Sequence, residues 1–235
     1  MKPIVRWTIS GLMPSESFRC LKLSVKLFKK IYKDTFDYYV CHNNTNTEQL
    51  FELKKMEVIL IDQTMFQLDL LSAPYDTSWK LYPPRLNIEG HEIFIDNDLI
   101  IYKPIKEIDL LLKEDIFFCS EAHIRCYGQF DKIIKSRINL NTGFFGITPY
   151  YDLGTKINNL LKENNIKWRD HCDEEGALAY LFFQEKFNTI PMQELYVCNP
   201  KVNFAPFGLG EKGTHFAGLN SGGTKYWNKY LSFSI

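Results

Sequence analysis

The chain opens with an alternation of strand and helix patterns that rules out most architectures. Ile4-Val5-Arg6-Trp7-Thr8-Ile9 has the branched and aromatic content of a strand. From Ser17 to Lys33, Phe18, Leu21, Val25, Phe28 and Tyr32 fall three and four residues apart, as one buried helix face requires. Lys22, Lys26, Lys29, Lys30 and Lys33 lie elsewhere around that helix and read as a solvated face; a basic surface for lipid or an anionic acceptor is the competing reading. Tyr38-Tyr39-Val40-Cys41 is a second strand, Thr47 to Lys55 a short helix, and Val58-Ile59-Leu60-Ile61 a third strand apolar enough to be central. Strand, helix, strand, helix, strand is how a doubly wound parallel sheet begins. Such sheets bind ligands beyond the carboxyl ends of their strands, so Thr8, Ser10 and Asn43 are candidate nucleotide contacts. No G-x-G-x-x-G or Walker-type loop follows the first strand, which argues against dinucleotide and P-loop chemistry.

The second constraint is Glu92-Ile93-Phe94-Ile95-Asp96-Asn97-Asp98-Leu99-Ile100-Ile101, where two apolar runs flank a pair of acids. Aspartate is a poor strand former, and carboxylates in an apolar run cost stability unless something compensates them. Magnesium or manganese would, because both prefer hard oxygen ligands of the kind Asp96 and Asp98 offer. The competing reading is a strand end followed by an Asn-Asp turn. Just before it, the prolines of Ser78 to Leu86 forbid a central strand and predict a rigid connector or a short helix. Lys80 and Arg85 on that connector are either phosphate ligands near the cleft or ordinary surface charge.

Downstream, Ile105 to Lys113 has a helix pattern and Ile116-Phe117-Phe118-Cys119 a strand pattern; Ser120 to Phe130 is a polar and aromatic loop to which no role is assigned. Ile138 to Ile147 alternates as a strand but contains Gly143, the mark of a bulge or of a close ligand approach, where Asn141 would meet sugar hydroxyls. A helix from Tyr151 to Glu163 is followed by His171-Cys172-Asp173-Glu174-Glu175, opening an amphipathic run to Phe187 with Asp173 as its N-cap. Helix-dipole complementation accounts for these acids; the functional reading has one of them bind an acceptor hydroxyl or take its proton. Near the end, His215 stands between glycine-rich segments as a candidate third metal ligand, and Lys225 offers a charge for a diphosphate.

Composition excludes several classes. Lys plus Arg and Asp plus Glu both number 28, so no net field attracts nucleic acid. With 235 residues, 45% of them hydrophobic, the chain suits one domain. Six cysteines without a C-x-x-C pair argue against a zinc cluster and a disulfide framework, and suit a reducing cytoplasm. No run is long enough to span a membrane.

The Asp96-Asn97-Asp98 strand end, the Asn141-Thr142-Gly143 turn, the Asp173-Glu174 helix start and the tail His215-Phe216-Ala217-Gly218 to Lys225-x-Trp227 occur in an order that resembles metal-dependent GT-A glycosyltransferases. The tail is similar to the H-x-x-G-x-x-K-P-W ending of the glycogenin-like and lipopolysaccharide galactosyltransferase-like family. It departs from it in having Tyr226 where the family has Pro, and in the extra length of Ser221-Gly222-Gly223-Thr224. The resemblance implies an α/β fold of GT-A type, with a Rossmann-like, mostly parallel twisted sheet flanked by helices. It implies a single domain over 1–235, with 1–104 as the nucleotide-sugar half and 105–235 as the acceptor half. Asp96, Asp98 and His215 would hold manganese or magnesium on the diphosphate of a nucleotide-sugar donor, most simply a UDP-sugar. Thr8, Ser10, Asn43, Lys80, Arg85, Asn97, Gly218 and Lys225 would bind the donor, and Asp173, Glu174 and Asn141 would act in transfer. The implied acceptor is a carbohydrate or glycolipid, with peripheral membrane contact left open and a lean towards retention of anomeric configuration. A nucleotidyltransferase with a similar metal site and a non-catalytic nucleotide-sugar or carbohydrate-binding module are the alternatives.

Overall fold

The computed structural model describes residues 2–66, 76–198 and 208–218. The opening alternation folds as its periodicity requires: β1 (Ile4–Ser10), α1 (Ser15–Tyr32), β2 (Asp37–Asn43), α2 (Thr47–Lys54) and β3 (Ile59–Asp62). β4 (Glu92–Ile95), β5 (Leu99–Ile101), α3 (Lys106–Glu114), β6 (Phe117–Glu121), β7 (Leu140–Ile147), α4 (Leu153–Glu163), α5 (His171–Phe182), β8 (Phe187–Ile190), β9 (Leu195–Val197) and β10 (Gly213–His215) follow. Seven strands form one sheet in the order β3-β2-β1-β4-β7-β6-β8, and β5-β10-β9 form a smaller one. In the large sheet β7 is antiparallel to both neighbours, and every other pairing is parallel.

Alternation along β1 shows why helices cover both faces. Val5 and Trp7 point into a core with Leu21, Val25 and Phe28 of α1 and Ile108 and Leu111 of α3. Phe94 and Phe145 point to the other side, into a core with Leu160 of α4 and Leu178 and Phe182 of α5. Arg6 shares this second face and is fully buried. Its guanidinium lies 4.1 Å from the Phe94 ring centroid and 3.0 Å from Glu92, which Arg85 also meets at 3.1 Å. Buried charge is tolerated here because Glu92 is paired with both arginines; losing Glu92 would leave two buried guanidinium groups without a counter-charge.

Three expectations need correction. The apolar strand β3 is an edge strand with Ile59 47% exposed, because apolarity alone does not distinguish a central strand from an edge lying beside helices. Asp170, not Asp173, caps α5, accepting from the Cys172 and Asp173 N–H groups; the helix stops at Phe182 and Phe187 begins β8. Cys126 and Cys172 form a disulfide across 46 residues, brought together by tertiary contact that sequence spacing does not report. Cys20, Cys41, Cys119 and Cys198 are free and buried. Among the described residues, no helix is long and apolar enough to cross a membrane.

Candidate active site at the carboxyl end of β4

β4 ends at Ile95, and the chain turns through Asp96-Asn97-Asp98 before β5 leaves for the smaller sheet. Backbone bonds fix this turn: Asp96 N–H donates to Gly143 O at 2.8 Å, and Phe216 N–H donates to Asp98 O at 2.9 Å. The second bond brings β10, and with it His215, against the acids. Asp96, Asp98 and His215 each offer one ligand atom, and these atoms lie within 4.8 Å of one another. His215 Nε2 is 3.0 Å from Asp98 Oδ1 and 3.8 Å from Asp96 Oδ2. Its other ring nitrogen, Nδ1, is 2.9 Å from Asn141 Oδ1, an acceptor that selects the tautomer leaving Nε2 free to ligate. Burial opposes protonation of His215, but Asp98 and Asp96 outweigh it and hold its pKa above the ordinary histidine range. Two carboxylates and an imidazole with a fixed orientation fit a manganese or magnesium ion.

Gly143 makes this packing possible. A Cβ there would overlap the His215 ring and crowd Asn141 Oδ1. The glycine lies where the β6–β7 register slips, Ser120 pairing with Asn141 but Cys119 with Phe145. The bulge expected around Gly143 is present, and what approaches the glycine is the His215 ring.

A second set of charges adjoins the first. Lys80, in the short 3-10 helix Asp76–Leu81, is buried with its Nζ 2.8 Å from Asp96 Oδ1 and 3.5 Å from Glu174 Oε2. Burial disfavours its charge, yet the carboxylates Asp96 and Glu174 raise its pKa overall. Thr142 Oγ1 donates to Glu174 Oε1 at 2.9 Å. Burial pushes the Glu174 pKa up to about 6 despite Lys80. Glu175 receives a 3.2 Å bond from Asn141 Nδ2, and burial together with Glu174 raises its pKa well above the usual carboxylate range.

Other sequence candidates divide. Asn97 Nδ2 donates to Thr8 O at 3.3 Å, and Ser10 pairs in register with Asn43 at the same sheet edge. Gly218 follows His215 closely, with a φ of 74° that favours glycine. Asp173 does not join this group: its carboxylate accepts from Gln129 N and Nε2 and from Arg169 N at 2.7–2.8 Å. Arg85 does not either. It is held at the amino end of β4 by Glu92 and by the carbonyls of Thr148, Tyr151, Asn87 and Gly90. Lys225 lies outside the described residues. Glu175 and Thr142 were not singled out as site residues by sequence; the acid run at the start of α5 was the signal for Glu175.

No family model matches the chain, and no curated protein matches it at a significant level. Solved structures do match. The galactosyltransferase LgtC, in complex with donor and acceptor sugar analogs, is 11% identical with a TM-score of 0.61, over 98% of this chain and 95% of that one. The glycosyltransferase GlyE of Streptococcus pneumoniae is 14% identical with a TM-score of 0.59, over 100% of this chain and 64% of that one. Mouse xyloside xylosyltransferase 1 is 10% identical with a TM-score of 0.57, over 94% and 99%. At such identities the likeness defines the fold, which is GT-A, as the motif order implied.

Proposed function

We propose that this chain is a metal-dependent glycosyltransferase that moves a sugar from a UDP-sugar to a hydroxyl of a carbohydrate or glycolipid acceptor. The observation that carries this reading is the convergence of Asp96, Asp98 and His215 at the carboxyl end of β4 within a GT-A fold. Asp96, Asp98 and His215 would hold a manganese or magnesium ion, which when bound supplies Lewis-acid neutralisation of the charge that grows on a departing diphosphate. Thr8, Ser10, Asn43 and Asn97 edge the cleft on the side where a nucleoside would lie, and Lys80 fixes the directions of Asp96 and Glu174 from behind. Glu174, held by Thr142 and Lys80 and with its pKa raised by burial to about 6, would accept a hydrogen bond from a sugar hydroxyl of the bound donor or acceptor. Retention of anomeric configuration is part of the proposal and rests on the His215 tail resemblance.

The test is donor consumption. UDP-sugars incubated with manganese should be hydrolysed slowly without acceptor, releasing UDP, and proton NMR of the first-formed sugar should show the donor's anomeric configuration. Saturable binding of a UDP-sugar with no release of UDP under any acceptor would instead make the chain a binding module.

A further inference from the structure

A second cluster of ligand atoms lies outside this cleft and differs from it in chemistry. Cys126, in the loop after β6, and Cys172, in the first turn of α5, have Cα atoms 4.8 Å apart and are joined as a disulfide. His171 is exposed beside them, its Nε2 3.7 Å from Cys172 Sγ. One atom from each of the three falls within 4.8 Å of the others. Two sulfurs and an imidazole are a soft to borderline set, whereas Asp96, Asp98 and His215 are mostly hard oxygen. Two cysteines and a histidine with one open position are a recurrent zinc ligand set, and the partial positive charge of the first turn of α5 suits an anionic sulfur.

We propose that Cys126, His171 and Cys172 form a binding site for a zinc-like divalent cation, available only when the disulfide is reduced. Reduction by a thiol or phosphine adds two electrons and two protons to the S–S bond, giving two thiols; the reductant is oxidised to its disulfide or, with water, to its phosphine oxide. Cation binding then displaces both thiol protons to solvent, forming two metal–sulfur bonds and one to neutral His171, with water in the fourth place. Disulfide and cation exclude each other because both use the same two sulfurs. Either one fastens the loop carrying Gln129 to the turn carrying Asp173, which Gln129 N and Nε2 already clasp. Glu174 is the next residue, so the clasp sits directly behind the cleft.

The experiment uses the full chain, reduced with a phosphine and titrated with cobalt(II) alone. One equivalent should give the near-ultraviolet thiolate-to-cobalt charge-transfer band, which an oxygen and imidazole site cannot produce. The band should be bleached by one equivalent of zinc, be absent from the oxidised protein and persist in Asp98→Ala. Cys126→Ser and Cys172→Ser should each abolish it, and His171→Ala, an exposed position, should weaken cobalt binding at least about tenfold with the circular dichroism unchanged. No band in the reduced wild type overturns the proposal, as does a band that survives in the double variant Cys126→Ser, Cys172→Ser.

Discussion

His215 Nε2 lies 3.0 Å from Asp98 Oδ1 although 117 residues separate them in sequence. The contact is made by two backbone events: β10 pairs antiparallel with β5, which begins just after Asp98, and Phe216 N–H donates to Asp98 O. The smaller sheet therefore serves to bring the tail back to the acidic turn.

Gly143→Ala tests whether that contact depends on the β7 irregularity. The added methyl would displace the His215 ring or Asn141, and supporting groups of metal ligands typically matter by about 10–100-fold in affinity or activity. Manganese affinity, measured by titration calorimetry in the presence of UDP, should fall by that order while the fold survives. Unchanged affinity would mean the ring relaxes without consequence.

Asn141→Leu removes the acceptor for His215 Nδ1 and the donor to Glu175 together. It should weaken manganese binding about tenfold or more, and a His215→Ala background should abolish that difference. An equal loss in both backgrounds would place the role of Asn141 elsewhere.

Glu174 yields a pH prediction. Its folded pKa, about 6, lies above the ordinary 4.5, so the folded state takes up its proton more readily than the unfolded state does. Glu174 therefore costs stability increasingly as pH rises from 4.5 to 6, and fully above that window, by about 2 kcal/mol. In metal-free protein, Glu174→Gln should gain up to about that amount over wild type at pH 7.5 relative to pH 4, by chemical denaturation, while losing sugar transfer. A variant more destabilised at pH 7.5 than at pH 4 would show that the Lys80 contact outweighs burial.

Arg85 and Lys80 look alike in sequence and should behave differently. Arg85→Ala leaves Glu92 paired with Arg6 alone and removes the donor to the Thr148, Tyr151, Asn87 and Gly90 carbonyls; it should cost about 3 kcal/mol, with nucleotide affinity unchanged at a temperature where the variant is folded. Lys80→Ala should instead change donor affinity and turnover, because Lys80 contacts Asp96 and Glu174. A loss of donor affinity in Arg85→Ala would contradict the assignment.

How far the sequence could be read follows from which signals are local. The opening strand–helix alternation and the acid pair Asp96 and Asp98 were legible because period and charge are local properties, and His215 stood out because glycine-rich segments flank it. Asp173 and Glu174 could not be separated: neighbours on a helix point about a hundred degrees apart, so the choice depends on whether Asp170 or Asp173 caps it. Arg85 was ambiguous because the connector runs past β4 from its carboxyl end to its amino end. Glu92 lies four residues before Asp96, roughly 13 Å along a strand, and Arg85 goes with Glu92. The Cys126–Cys172 pair and the edge position of β3 are purely tertiary facts.

The most direct test is thermal unfolding of wild type and Asp98→Ala with UDP, with and without manganese. At a hundred times its dissociation constant, UDP should add about 2.7 kcal/mol of stability to the wild type only when manganese is present, and nothing to Asp98→Ala. An equal shift in both proteins, or no shift of the wild type with UDP and manganese together, would contradict a metal-bridged diphosphate site at Asp96, Asp98 and His215.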